Sequence, residues 1–146
     1  MKNILFTLTL LVSFNSFGQT AQEYIYSGNE KAKTNDYYGA ISDYSKAIEL
    51  NAVSTTAYYN RGHSKDNLKD YYGAISDYTK AIELNPNDHG AYYNRGKSKY
   101  ELKDYYGAIS DYTKAIELNP NDANPPFIDI QYTKAGGYYN RGNSKY

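Results

Sequence analysis

Three Tyr-Asn pairs have the type and spacing best suited to recognising another chain: Tyr59-Asn60, Tyr93-Asn94 and Tyr139-Asn140. An asparagine amide donates and accepts at once, as a peptide backbone does. A tyrosine beside it adds rigid apolar area at low entropic cost. The same pairs also suit packing between neighbouring helices, with the asparagines satisfying local polar groups, and the sequence leaves both readings open. Arg61, Arg95 and Arg141 follow one residue later as a second ladder. A row of guanidinium groups can grip carboxylates, and pairing with an acid on a neighbouring helix is the simpler account.

Catalysis has little to work with. His63 and His89 are the two histidines, and there is no cysteine, phosphate-binding loop or serine elbow. Ser76-Asp77 and its copies read as periodic helix surface. Asn87-Asp88 and Asn121-Asp122 offer oxygen ligands, but helix capping accounts for them. No enzyme activity, cofactor or metal is expected.

The elements that must position these side chains repeat every 34 residues. Tyr37 to Tyr44 returns at Tyr71 to Tyr78 and at Tyr105 to Tyr112, and Leu68 to Asp88 is letter-for-letter Leu102 to Asp122. That period is the length of one helix–turn–helix unit in a helical solenoid. Ala74, Tyr78 and Ala81, spaced four and three apart, share a helix face. Gly62 and Ala74 are small where two helices approach. Asp70 can cap the second helix of its unit, Pro86 ends it, and Asn87 or Asp88 can cap the next.

Residues 1–18 have the layout of a cleaved secretory leader: Lys2, an apolar run from Ile4 to Val12, then small and polar residues to Gly18. The run is too short to span a bilayer, which needs about 20 apolar residues. An exported chain, periplasmic or extracellular, without membrane insertion after cleavage, is expected. The 16 basic and 16 acidic residues leave no electrostatic footprint for nucleic acid. Without cysteines, stability must come from helix packing alone. Of the aromatic residues, 20 are tyrosines, against four phenylalanines and no tryptophan. A tyrosine ring can be buried while its hydroxyl reaches water or a partner.

Tyr58, Gly62, Ala74, Tyr78, Ala81 and Pro86 follow a pattern that resembles the tetratricopeptide repeat (TPR). Tyr92, Gly96, Ala108, Tyr112, Ala115 and Pro120 repeat it. Tyr24, Gly28, Ala40, Tyr44 and Ala47 match as well, with Ala52 in place of the proline. The resemblance implies an all-α solenoid with full repeats at 21–54, 55–88 and 89–122. Residues 123–134 break the phase, and 135–146 restart a fourth first helix. That partial unit reads equally as a short cap or as a truncation scar.

The resemblance places the first helices on the inner face of a curved stack. Carried over position by position, it marks Ile25, Asn29, Tyr59, Asn60, His63, Asp66, Tyr93, Asn94, Lys97, Tyr100, Tyr139, Asn140, Asn143 and Tyr146. Some members clamp a C-terminal carboxylate with cations and two asparagines. Asn29 and Asn60 match those asparagines, while Ile25, Gly90 and Asn94 stand where cations are required, so that clamp is not expected. The implied role is a protein-interaction scaffold holding a peptide or protein segment. Alternatives are a self-associating solenoid (a homo-oligomer) or a piece of a larger repeat protein. Gly39, Gly73 and Gly107 permit a close approach or are copies carried by duplication.

Overall fold

The computed structural model describes residues 19–120. Residues 1–18, expected to be a leader, the insertion at 123–134 and the partial unit at 135–146, with Tyr139, Asn140 and Arg141, lie outside them. The described residues form six α-helices and no strand: α1 (Ala21–Lys33), α2 (Tyr37–Leu50), α3 (Thr55–Asn67), α4 (Tyr71–Leu84), α5 (His89–Glu101) and α6 (Tyr105–Leu118). They pack as the hairpins α1/α2, α3/α4 and α5/α6, which stack through α2/α3 and α4/α5.

Each helix starts where the sequence supplies an oxygen for its orphan N–H groups. Thr20 and Glu23 form a reciprocal capping box at α1. Asp36, Asp70 and Asp104 accept from the backbone N–H groups of Gly39, Gly73 and Gly107. Ser54 and Asp88 cap α3 and α5 through Ala57 and Ala91. The glycine at Gly73 now has a local cause: an added Cβ would lie 2.8 Å from the Asp70 carboxyl carbon and displace the cap.

The hairpins close over tyrosine rings. Ala40, Tyr44 and Ala47 of α2, like Ala74, Tyr78 and Ala81 of α4, are buried on one face. Gly62 lets α3 approach closely, since a Cβ there would sit 3.0 Å from the Tyr78 ring and 3.3 Å from the Ala74 carbonyl oxygen. Between repeats, Ile25 and Ala47 meet Ala57, and Ala81 and Ile82 meet Ala91.

The turn inside each hairpin passes through a left-handed residue: Asn35, Lys69 and Lys103, at φ of 63°, 63° and 64°. Asparagine tolerates that region, whereas lysine there costs about 1–2 kcal/mol. Lys69→Asn and Lys103→Asn should therefore each raise stability by about 0.5–1 kcal/mol. Urea melts of the single variants test this, and unmoved midpoints would contradict it.

Candidate peptide-binding groove

The arginine ladder is structural. Arg61 donates from Nε and Nη2 to both carboxylate oxygens of Asp77, at 2.9 and 2.7 Å, and from Nη1 to the Ser45 hydroxyl in the preceding repeat at 3.0 Å. Arg95 repeats the arrangement on Asp111 and Thr79. Lys65 and Lys99 add a second cation to each acid, at 2.8 and 2.7 Å. The simpler account of this ladder holds at Arg61 and Arg95.

The expectation that Ser76-Asp77 forms helix surface is corrected at the acid: Asp77 and Asp111 are each only 3% exposed. Two cations and a fork of N–H donors let a carboxylate sit where water is excluded. In the first repeat Ser27 and Lys31, both 2.6 Å away, hold Asp43 instead. Burial pushes the Asp43 pKa up, but the hydrogen bonds from Lys31 and Ser27 and the charges of Lys31 and Lys46 outweigh it. The group ends below its usual range.

Without these cations, the first helices keep a smaller set of candidates. Asn29 and Asn60, on α1 and α3, meet across the repeat boundary. Asn29 Oδ1 accepts from Asn60 Nδ2 at 2.8 Å and from the Tyr44 hydroxyl at 2.8 Å. Together with His63, Tyr26, Lys33 and Tyr37 they line an open groove of about 560 Å³. That volume lies within the ~300–1,000 Å³ typical of ligand sites. Burial, with the Asp43 charge adding to it, pushes the Tyr44 phenol up to about 12, so it stays protonated and donates.

The other candidates are placed differently. Tyr59 lays its ring 5.8 Å from that of Tyr78 and accepts from Asn94 Nδ2 at 2.8 Å. That Tyr-Asn pair is joined across two repeats. Tyr93 packs against Tyr112 at 5.6 Å. Lys97 is exposed with its ammonium 3.1 Å from Asp66, which is buried and also accepts from Ser98. Tyr100 is exposed and meets Tyr105 edge-on. Ile25, marked as inner face by the resemblance, is buried between repeats because an isoleucine at that position packs rather than faces water. His63 and His89 lie in different repeats, and the described residues hold no cluster of three or more metal-ligating side chains.

Sequence reasoning missed Tyr26, Lys33 and Tyr37 as groove lining: Tyr26 and Lys33 have no copies in the later repeats, and Tyr37 recurs as the start of a second helix rather than on the inner face. It matched Tyr44 to the repeat pattern without placing its hydroxyl on Asn29. Tyr78, the counterpart of Tyr44, has His63 where Asn29 stands, and its buried hydroxyl has no hydrogen-bond partner among the described residues. Two substitutions at this one repeat position should therefore act with opposite sign. Tyr44→Phe should cost about 1 kcal/mol by removing one of the two donors to Asn29 Oδ1, and Tyr78→Phe should gain up to about 1 kcal/mol by removing an unpaired buried group. Thermal melts showing the same sign for both would refute this.

The tetratricopeptide repeat profile matches residues 55–88 and 90–122. The TPR domain of Arabidopsis OM64 is 30% identical over 70% of this chain and 85% of its own length, with a TM-score of 0.69. This chain belongs to the tetratricopeptide repeat family. Two further TPR structures are similar. The first TPR of Spaghetti (RPAP3), bound to the HSP90 peptide SRMEEVD, is 29% identical over 75% of this chain and 87% of its own, with a TM-score of 0.70. The first TPR domain of human RPAP3 is 26% identical over 87% and 98%, with a TM-score of 0.70. A comparison with curated proteins finds no match.

As a TPR chain, the protein has the architecture of a protein–protein interaction scaffold. The hairpin at 21–54, which the profile does not cover, has the same build as the two that it does. No helix among the described residues is long and apolar enough to cross a membrane.

Proposed function

We propose that this chain is an exported, non-catalytic scaffold that holds a peptide or protein segment in the groove between α1 and α3. The observation that carries the reading is the Asn29–Asn60–Tyr44 network. It sits in an open groove and presents a pre-set amide pair rather than a closed core contact. The bound peptide of the RPAP3 neighbour supports a peptide as the kind of occupant. The layout of residues 1–18 supports export.

The test is capture from an exported cell fraction by the tagged protein and by an Asn29→Ala, Asn60→Ala variant whose folding is checked by circular dichroism. A partner retained by the first and lost by the second supports the groove. Equal capture by both reduces the pair to packing. Retention of the uncleaved chain in the cytosol would sink the export reading.

Self-association is the second reading, favoured by the row of exposed rings at Tyr38, Tyr72 and Tyr106. Elution that does not change with concentration on a sizing column would rule against it.

A further inference from the structure

We propose that the groove between α1 and α3 reads an internal, uncharged stretch of extended peptide and turns away a chain end with a free carboxylate. The inference rests on the groove reading above and names the chemistry of its occupant.

The hydrogen bonds fix the polarity of the site. Asn29 Oδ1 already receives two donors, the Tyr44 hydroxyl and the Asn60 amide. Among the described residues, no side-chain contact uses Asn29 Nδ2 or Asn60 Oδ1, while the Asn60 main-chain carbonyl accepts from Ser64. The pair thus offers free N–H donors on both amides and one free acceptor, Asn60 Oδ1, beside them. A peptide unit brings both the acceptor and the donor that this set requires. A carboxylate has acceptors only, so it leaves Asn60 Oδ1 without a donor.

Charge points the same way. A carboxylate leaving water needs a cation, or it loses more hydration than it regains. Lys33 is engaged by Glu30 at 2.6 Å, and Glu30 itself puts a negative charge on the groove wall. Lys31 and Lys65 are engaged by the buried Asp43 and Asp77, and Lys97 by Asp66. Ile25 is 5% exposed and packed between repeats, with no cation to give. Gly90 and Asn94 bring none from α5, and Asn94 is already bonded to Tyr59. The remaining lining, Tyr26, Ala32 and the ring of Tyr37, suits an aliphatic or aromatic side chain.

The test uses the full chain and two probes. One is the heptapeptide SRMEEVD, acidic and ending in a free carboxylate, as bound by the RPAP3 neighbour. The other is a library of uncharged heptapeptides displayed with protein sequence on both sides. Library binders should keep their affinity when synthesised with acetylated and amidated ends. They should lose about tenfold on Asn29→Ala or Asn60→Ala, the size of one hydrogen bond to a desolvated partner. SRMEEVD should not compete with them. Binders that weaken tenfold or more when a free C-terminal carboxylate is blocked, or competition by SRMEEVD, would overturn the inference while leaving the groove in place. No binder of either kind, or binding indifferent to both asparagine variants, would remove the groove reading and this inference together.

Discussion

Asp77→Ala is expected to cost about 3–5 kcal/mol, the usual penalty for leaving one side of a buried ion pair uncompensated. Asp77 is 3% exposed and receives both arms of Arg61 together with Lys65. Its removal leaves a guanidinium and an ammonium facing each other in a dry hairpin. The partner experiment separates charge from packing. Arg61→Met and Lys65→Met with Asp77→Leu removes all three charges and replaces them with apolar volume, which should recover much of the loss. Urea denaturation followed by circular dichroism reads both. A loss below about 1 kcal/mol for Asp77→Ala would match a surface pair instead.

Ala57→Glu should be comparably damaging, by at least ~3 kcal/mol, because it places a charge in an apolar contact. Ala57 is fully buried against Ile25 and Ala47, and Ala91 holds the same place against Ala81 and Ile82. At the equivalent position of the first repeat stands Glu23, exposed and accepting from the Thr20 backbone N–H at 2.8 Å. The same side chain that finishes the array at α1 would pry repeat 1 from repeat 2 if moved to α3. The groove would open with it, so peptide binding should fall along with the melting midpoint. A single cooperative transition within ~0.5 kcal/mol of the parent would refute the expectation.

The fold was legible because the period, the small residues and the capping acids all pointed to one answer. Gly62 lies where α3 and α4 approach, and Asp70 caps α4, as the spacing placed them. The placement of the candidate residues was legible in part. Asn29, Asn60 and His63 line one groove. Tyr59 and Asn94 satisfy each other instead, across 35 residues of sequence, a pairing that no local pattern encodes. Asp77 misled because an acid within a helical surface period looks solvated until its cations are located. Ile25 misled because position within a motif does not register side-chain type.

α4 and α6 have the same sequence, letter for letter, and α2 differs from them only in Ser45 for threonine. α1, α3 and α5 diverge, and the groove draws on α1 and α3. Frame and readout are thus written in alternating stretches of the chain. On the proposed groove reading, exchanging the 55–67 and 89–101 segments would change what the array recognises while leaving the Tyr78 and Tyr112 closures on glycine and both Arg–Asp clasps in place. The frame of the array is thus separable from the helix faces that line its groove.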